Sequence, residues 1–296
     1  MAYFLYILNL IGIYATVCLS LNLLAGYTGL LSIAQAAFFG VGAYTTAILA
    51  LGGQTQFLLN LLAAMVVSGL AGALVGALTL RFDDDYFVVA TFAFQVIAFG
   101  LMNNWVALTG GPMGLEGVPR PFLFGHEISS NAEFLIIVWG LCGGALWLTR
   151  RVDRSAYGRV LRAIREDEVF AAAQGRAAIV FKRSVFVAGA ALAGIAGGVY
   201  AQYMQFLDPS PFTVQESISI ISMMIIGGAG TLWGPVVGAA VLVSVPEFLR
   251  FAGVPSAMAA NVRQMLYGGL LVGFMMWRPQ GLCGRFFLRG RTDTGR

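Results

Sequence analysis

Apolar residues come in long, nearly unbroken runs along this chain, and each run is close to the length a bilayer demands. A helix needs about 20 mainly apolar residues to cross the hydrocarbon core. Runs of this kind fall at 3–25, 33–51, 57–80, 86–107, 133–149, 184–206, 214–228, 234–250 and 258–277. They predict an all-α fold: a polytopic α-helical integral membrane protein with about 8–10 transmembrane helices, nine crossings being the best count. The first run, MAYFLYILNLIGIYATVCLSLNLLAG, lacks the basic start and the small-residue cleavage pattern of a signal peptide and reads as a retained first span.

Two runs are weaker than the rest. The 33–51 and 214–228 segments each lie beside a glycine-rich stretch, Gly26-Tyr27-Thr28-Gly29-Leu30-Leu31-Ser32 and Gly227-Gly228-Ala229-Gly230-Thr231-Leu232. Both stretches have the form Gly-x-x-Gly-x-Leu, and the nine-crossing topology gives them the same orientation, as a parallel internal repeat would. Irregular backbone at membrane depth is tolerated only where protein or a water-filled cavity satisfies its polar groups, which makes Gly26, Gly29, Ser32, Gln35, Gly227 and Gly230 candidate pathway residues. Small residues also recur at four-residue spacing, in Ser68, Gly72 and Gly76 and again in Ala190, Gly194 and Gly198. Such stripes let helix backbones approach closely in lipid, and generic bundle packing is the favoured reading of them.

Composition agrees with the runs. Apolar residues make up 58% of the chain and charged residues only 11%, whereas a soluble domain carries about 25% charged residues. The net charge of +4 reports orientation rather than nucleic-acid binding, because Lys and Arg gather in cytoplasmic loops. No Asp, Glu, Lys or Arg precedes Arg81, while nine of the 18 basic residues lie in 150–183 and five more in 278–296. Both regions are therefore expected in the cytoplasm. The chain divides into an N-terminal membrane half (1–149), a cytoplasmic loop (150–183), a C-terminal membrane half (184–278) and a cytoplasmic tail (279–296).

Within the loop, Arg150, Arg151, Lys182 and Arg183 read as interface anchors of the flanking spans. Between them, 158–165 places Val160, Leu161 and Ile164 on one side of a helix, with arginines around them. Glu166-Asp167-Glu168 puts negative charge at the start of a second helical turn, where the helix dipole favours it, and Gly175 can close that helix in a left-handed conformation. A short helix with a small apolar face and a charged rim suits docking into a groove on another protein. Resting on anionic lipid is the other reading, against which the acidic residues weigh.

The string GRVLRAIREDEVFAAAQG, Gly158 to Gly175, resembles the cytoplasmic coupling loop of ABC-importer permeases, and more narrowly the LivM-like branch of the branched-chain amino acid permease family. AGYTGLLSIAQAAFFGVGAYTTA (25–47), TGGPMGLEGVPRP (109–121), AGAALAGIAGGVYAQ (188–202) and WRPQGLCG (277–284) are similar to other parts of that family, in the right order over nearly the whole chain. Arg176-Ala177-Ala178 departs from the family's usual continuation, which bears on docking detail. The resemblance implies an ATPase-coupling role for Gly158, Arg162, Arg165, Glu166, Asp167, Glu168, Ala172, Ala173 and Gly175. It also implies cytoplasmic ABC ATPase subunits, a second permease subunit and an external solute-binding protein as partners, an amino acid as cargo, and residence in the bacterial inner membrane.

Other chemistries are poorly supplied. A P-loop needs Gly-x-x-x-x-Gly-Lys-Ser/Thr, and the only lysine is Lys182 in a Phe-Lys-Arg context. ATP would therefore be used by a partner subunit and no cofactor by this chain. His126 is the only histidine, and the three cysteines are scattered. No catalytic constellation or metal site is expected, and an enzyme is the remote reading. The Asp83-Asp84-Asp85 run reads as a solvated turn. Intramembrane polar residues are functional hypotheses by default. Gln35 either contacts a solute or bonds a neighbouring helix. Glu216, Glu247, Arg250 and Arg263 sit near outer span ends, suited to interfacial pairing or an external partner. A pathway without fixed charge in its first 80 residues fits a small neutral or zwitterionic solute with an apolar side chain. The alternatives are a urea, short-amide or small-carboxylate importer of the same family, and a self-sufficient channel or ion-coupled carrier.

Overall fold

A computed structural model of the chain describes residues 2–54, 56–82, 84–123, 126–128, 130–175, 177–251, 265–266, 268–273, 276 and 281–284. Most of the expected ninth span (258–277), Arg263 and most of the tail lie outside the described residues, as do the side chains of Asp83, Asp84, His126, Glu247 and Arg250. Helix α1 (Ala2–Leu21) runs on through a π-helical turn, Asn22–Gly26. It is followed by α2 (Gln35–Leu51), α3 (Phe57–Thr79) and α4 (Asp84–Asn104). A single turn, α5 (Val106–Thr109), opens a long connection to α6 (Asn131–Arg154). Two short helices, α7 (Ala156–Glu166) and α8 (Glu168–Ala173), precede α9 (Ala178–Met204), α10 (Val214–Gly227) and α11 (Gly234–Phe251).

Among the described residues five helical stretches are long and apolar enough to cross a membrane: Tyr3–Gly26, Phe57–Thr79, Asp85–Asn104, Asn131–Arg154 and Ala178–Met204. The chain is a multi-pass membrane protein. Helix α6 continues to Arg154 and α9 begins at Ala178, each several residues further into the loop than hydropathy alone indicates. A Ser130/Glu133 capping box starts α6, and Gln205, left-handed at φ 59°, closes α9. The two weak runs form short helices, α2 of 17 residues and α10 of 14.

The bundle is organised around α9, which packs on α1, α2 and α3. The small-residue stripes meet one another across the α3–α9 contact. A Cβ added at Gly72 would lie 2.5 Å from the Ala190 Cβ, and one at Gly194 would lie 2.2 Å from the Ser68 Oγ. On its other side α9 presses against α2, where a Cβ at Gly197 would lie 1.9 Å from the Phe39 carbonyl oxygen. Between helices in lipid there is little hydrophobic drive, so close backbone approach and its dispersion contacts hold the pair. Phe38 and Phe87 stack edge-on against Phe186 inside this contact. The outward faces of α3 and α4 carry Leu70, Leu74, Leu78, Val89 and Ile97, all exposed, as a lipid-facing surface requires.

Two ends of the bundle can be distinguished. At the loop end, α6 hands over to α7 and α8, which return the chain to α9. At the far end, residues 115–116 pair antiparallel with 206–207, and the Val118 amide donates to the Gln205 carbonyl at 3.1 Å.

Candidate functional site

At the loop end the two glycine-rich stretches, far apart in sequence, lie against each other. The Gly230 amide donates to the Asn22 Oδ1 at 2.8 Å, and the Asn22 Nδ2 donates to the Thr231 carbonyl at 2.9 Å. A Cβ on Gly26 would sit 2.8 Å from the Gly230 nitrogen. The second glycine of each stretch is left-handed, Gly29 at φ 80° and Gly230 at φ 77°, a conformation that excludes most side chains. Helices α1 and α10 both run toward this junction, and α2 and α11 both leave it. The segment 281–284 joins from outside: the Leu282 and Cys283 amides donate to the Ile226 and Gly227 carbonyls at 2.8 and 3.0 Å. They satisfy carbonyls that the end of α10 would otherwise leave open.

The loop reaches into this junction through Arg165. Arg165, in the last turn of α7, donates from Nη1 to the Gly26 carbonyl at 2.6 Å. A Cβ on Gly230 would lie 3.2 Å from the same nitrogen, and one on Gly29 would lie 3.2 Å from the Arg165 Cγ. Its guanidinium is therefore wedged between both turns. Helix α7 is itself fastened on three sides. Ser155 caps it by accepting from the Gly158 amide at 3.1 Å. Arg162 donates to the Asp153 carbonyl at 2.7 Å and pairs with the Asp153 carboxylate at 3.6 Å. Tyr157 shares a 2.5 Å hydrogen bond with Ser184 of α9. Gly158 is required where α7 crosses the end of α6, since a Cβ there would lie 2.1 Å from the Val152 carbonyl oxygen. Burial, then the Asp153 charge, pushes the Tyr27 hydroxyl above the ordinary tyrosine range, against the lowering effect of Arg162.

The acidic trio has divided duties. Asp167 caps α8, its Oδ1 accepting from the Phe170 amide at 2.9 Å. Glu168 pairs with Lys182 at 2.5 Å. Lys182 is thus a buried strut between α8 and α9, only 7% exposed, rather than an interface anchor. Glu166 is exposed, as are Ala172, Ala173 and Gly175, and Gly175 is left-handed at φ 78°. The apolar face of α7 turns inward: Leu161 packs with Leu24, Tyr27 and Leu30, and Ile164 with Ala171 and Ala178. What faces outward is α8, with Val169 80% and Phe170 61% exposed. Beside them opens a cleft of about 480 Å³ lined by Tyr157, Val160, Ala163, Phe170 and Phe181.

Gln35 and Ser32 are both buried. Gln35 donates from Nε2 to the Ser20 hydroxyl, and the Ser32 hydroxyl accepts from the Ala34 amide at 3.3 Å. Gln95, near the middle of α4, ties the starts of α2 and α10 together. Its Oε1 accepts from the Ala37 amide at 2.7 Å and from the Ser217 hydroxyl at 3.1 Å. Its Nε2 donates to the Phe212 carbonyl at 2.7 Å, and Ser217 also accepts from the Ala36 amide at 3.0 Å. The open start of α2 and the Phe212 carbonyl just before α10 are thereby satisfied at membrane depth. Gln95→Leu strands the Ala37 amide and the Phe212 carbonyl, at about 1–3 kcal/mol for each. The expected result is a clearly lower melting temperature in detergent with the helical content unchanged, read by circular dichroism.

The sequence profile described as "Branched-chain amino acid transport system / permease component" matches residues 3–275. The high-affinity branched-chain amino acid transport system permease protein LivM of Salmonella typhimurium is 32% identical over 293 residues, 91% of this chain and 67% of that protein. The LivM protein of Escherichia coli is 32% identical, over 93% of this chain and 69% of its own length. The LivH permease protein of the same organism is 24% identical, over 92% and 91%. No solved structure gives a significant match. With the profile covering nearly the whole chain and the LivM relatives aligned along most of it, this polytopic chain belongs to the family of branched-chain amino acid transport system permease components; it is a transport permease and not an enzyme.

Proposed function

We propose that this chain is the permease subunit of an ATP-driven importer that moves branched-chain, hydrophobic amino acids into the bacterial cytoplasm by alternating access. The observation that carries this reading is the α7–α8 unit. It presents Val169 and Phe170 outward beside an apolar cleft, while Arg165 reaches inward to the junction of the two glycine turns. A partner that pushes on α8 moves Arg165, and Arg165 moves the turns from which α2 and α11 depart. ATP is hydrolysed by separate ABC ATPase subunits that dock on residues 158–175. The second permease subunit is a related chain, supported by the likeness to both LivM and LivH proteins. An external solute-binding protein delivers the amino acid. The basic loop 150–183 and the tail 279–296 face the cytoplasm, supported by the positive-inside asymmetry, and the membrane is the inner one.

Reversing the charges of Glu166, Asp167 and Glu168 together does not isolate docking, because Asp167 caps α8 and Glu168 holds Lys182. Val169→Asp with Phe170→Asp does isolate it, since both side chains already face water. That double variant is expected to reach the membrane normally, to lose the ATPase subunits in a pull-down and to lose amino-acid uptake. Retained ATPase association and uptake would overturn the docking role. Solute movement by the purified chain alone, driven by an ion gradient in liposomes, would overturn the importer reading.

A further inference from the structure

Among the described residues, four buried side-chain atoms have no hydrogen-bond partner: the Asn9 Oδ1, the Tyr44 hydroxyl, the Asn60 Oδ1 and the Gln202 Oε1. All four belong to the far end of the bundle. They lie in the first half of α1, the second half of α2, the first turn of α3 and the last turn of α9. At the loop end and in the middle, by contrast, Asn22 and Gln95 are bonded through both ends of their amides. A buried polar atom without a partner destabilises the arrangement that strands it, and lipid offers it none. Admitting water to the far end would relieve that penalty.

The segment 206–213 enters this end. It leaves α9 through Gln205, which among the described residues is the one non-glycine at positive φ, a sparsely populated conformation that marks strain. Residues 206–207 are pinned to 115–116 at the far end. Phe212 already reaches the level of Gln95, which donates to its carbonyl from the middle of α4. The Phe212 ring is fully buried. Its centroid stands 5.5 Å from that of Phe39, 5.8 Å from that of Tyr44 and 6.3 Å from that of Tyr200, edge-on to each. Gly40 makes room for it, since a Cβ there would lie 2.8 Å from the Phe212 Cγ. Tyr44 thus meets Phe212 with its ring while its hydroxyl goes unsatisfied.

We propose that 206–213 is a strap that gates the far end, with Phe212 as its plug and Gln205 as its hinge. Burial of the aromatic ring favours the closed arrangement. The stranded Tyr44 hydroxyl, the other three unpartnered atoms and the strain at Gln205 favour an open one, in which water reaches this end. The two sets oppose each other, so the gate is held shut only lightly. This assignment rests on the transport reading and specifies where its outer barrier lies.

The test uses the complete transporter. Tyr44→Phe removes the stranded oxygen and leaves the ring against Phe212. It is expected to raise the melting temperature in detergent, because it stabilises the closed arrangement. In proteoliposomes it is expected to raise the leucine concentration for half-maximal uptake about fivefold, since a rarer open state lowers apparent affinity in proportion. Removing an idle hydroxyl from a static core would raise the melting temperature alone. Phe212→Ala removes the plug. A reporter, Tyr44→Cys in a chain whose three native cysteines are replaced by alanine, is then expected to react about tenfold faster with a membrane-impermeant maleimide applied to spheroplasts. Should Phe212→Ala fail to insert, the two measurements on Tyr44→Phe decide alone. An unchanged half-saturating concentration in Tyr44→Phe, or equal labelling with and without Phe212→Ala, overturns the gate while the transport reading stands. A wild-type complex that takes up no leucine overturns the transport reading itself.

Discussion

Gly197→Leu is expected to remove the folded protein from the membrane. Gly197 lies where α9 crosses α2, and a Cβ there would stand 1.9 Å from the Phe39 carbonyl oxygen and 2.8 Å from the Ala43 nitrogen. Both are helix backbone atoms, held by their own hydrogen bonds, so neither can move aside as a flexible side chain would. Gly42 faces the same constraint from the α2 side, its added Cβ falling 2.1 Å from the Gly194 carbonyl oxygen. Relieving the clash means separating two helices whose attraction comes mainly from that close approach. The cost exceeds about 4 kcal/mol, a large share of the roughly 5–15 kcal/mol that stabilises a folded protein. The measurement is the yield of monodisperse protein after detergent extraction. Gly143→Ala is the matched control. Nothing lies within 4 Å of a Cβ there, and replacing a mid-helix glycine gains about 0.4–1 kcal/mol. Normal yield of Gly197→Leu, or collapse of both variants, would contradict the packing argument.

Arg165→Ala is expected to separate ATP hydrolysis from transport. The 2.6 Å hydrogen bond to the Gly26 carbonyl is charge-assisted and partly buried, the class worth about 1.5–3 kcal/mol. Its loss leaves the Gly26 carbonyl without that donor and opens a gap between the two glycine turns. The ATPase contact itself is untouched, because Val169 and Phe170 lie on α8 and the cap by Asp167 remains. Hydrolysis by the assembled transporter should stay within about twofold of wild type, while uptake falls by about tenfold or more, 1.4 kcal/mol being one decade. Arg165→Lys should recover only part of the loss. A lysine offers a point charge in place of the planar fork that is wedged between the turns. If Arg165→Ala lowered hydrolysis and uptake in parallel, its role would be docking and not transmission.

Much of this was legible in the chain. Nine apolar runs predict a polytopic helical membrane protein, and among the described residues five of them form helices long and apolar enough to cross a membrane, because such a segment has no other way to satisfy its backbone in lipid. The loop was marked by charge, and Gly175 by the need to end a helix. The two Gly-x-x-Gly-x-Leu stretches were readable as irregular backbone. Their contact was not, since Asn22 and Gly230 are separated by most of the chain and nothing in local pattern reports such a pairing. The same holds for the inward face of α7. An amphipathic helix has one apolar side wherever it packs, and only the tertiary arrangement decided that Leu161 meets Tyr27 in its own bundle while Val169 faces outward.

Hydropathy measures whether a segment tolerates lipid, so the sequence alone determined what is membrane, what is loop and which family the chain resembles. It does not measure where along the bilayer normal a helix begins. The depth of α10, and with it the position of Glu216, was decided by Gln95 closing the backbone of Ala37 and Phe212 from the middle of another helix. A buried amide can satisfy a helix start at any depth, and which depth it selects depends on contacts between elements distant in the chain.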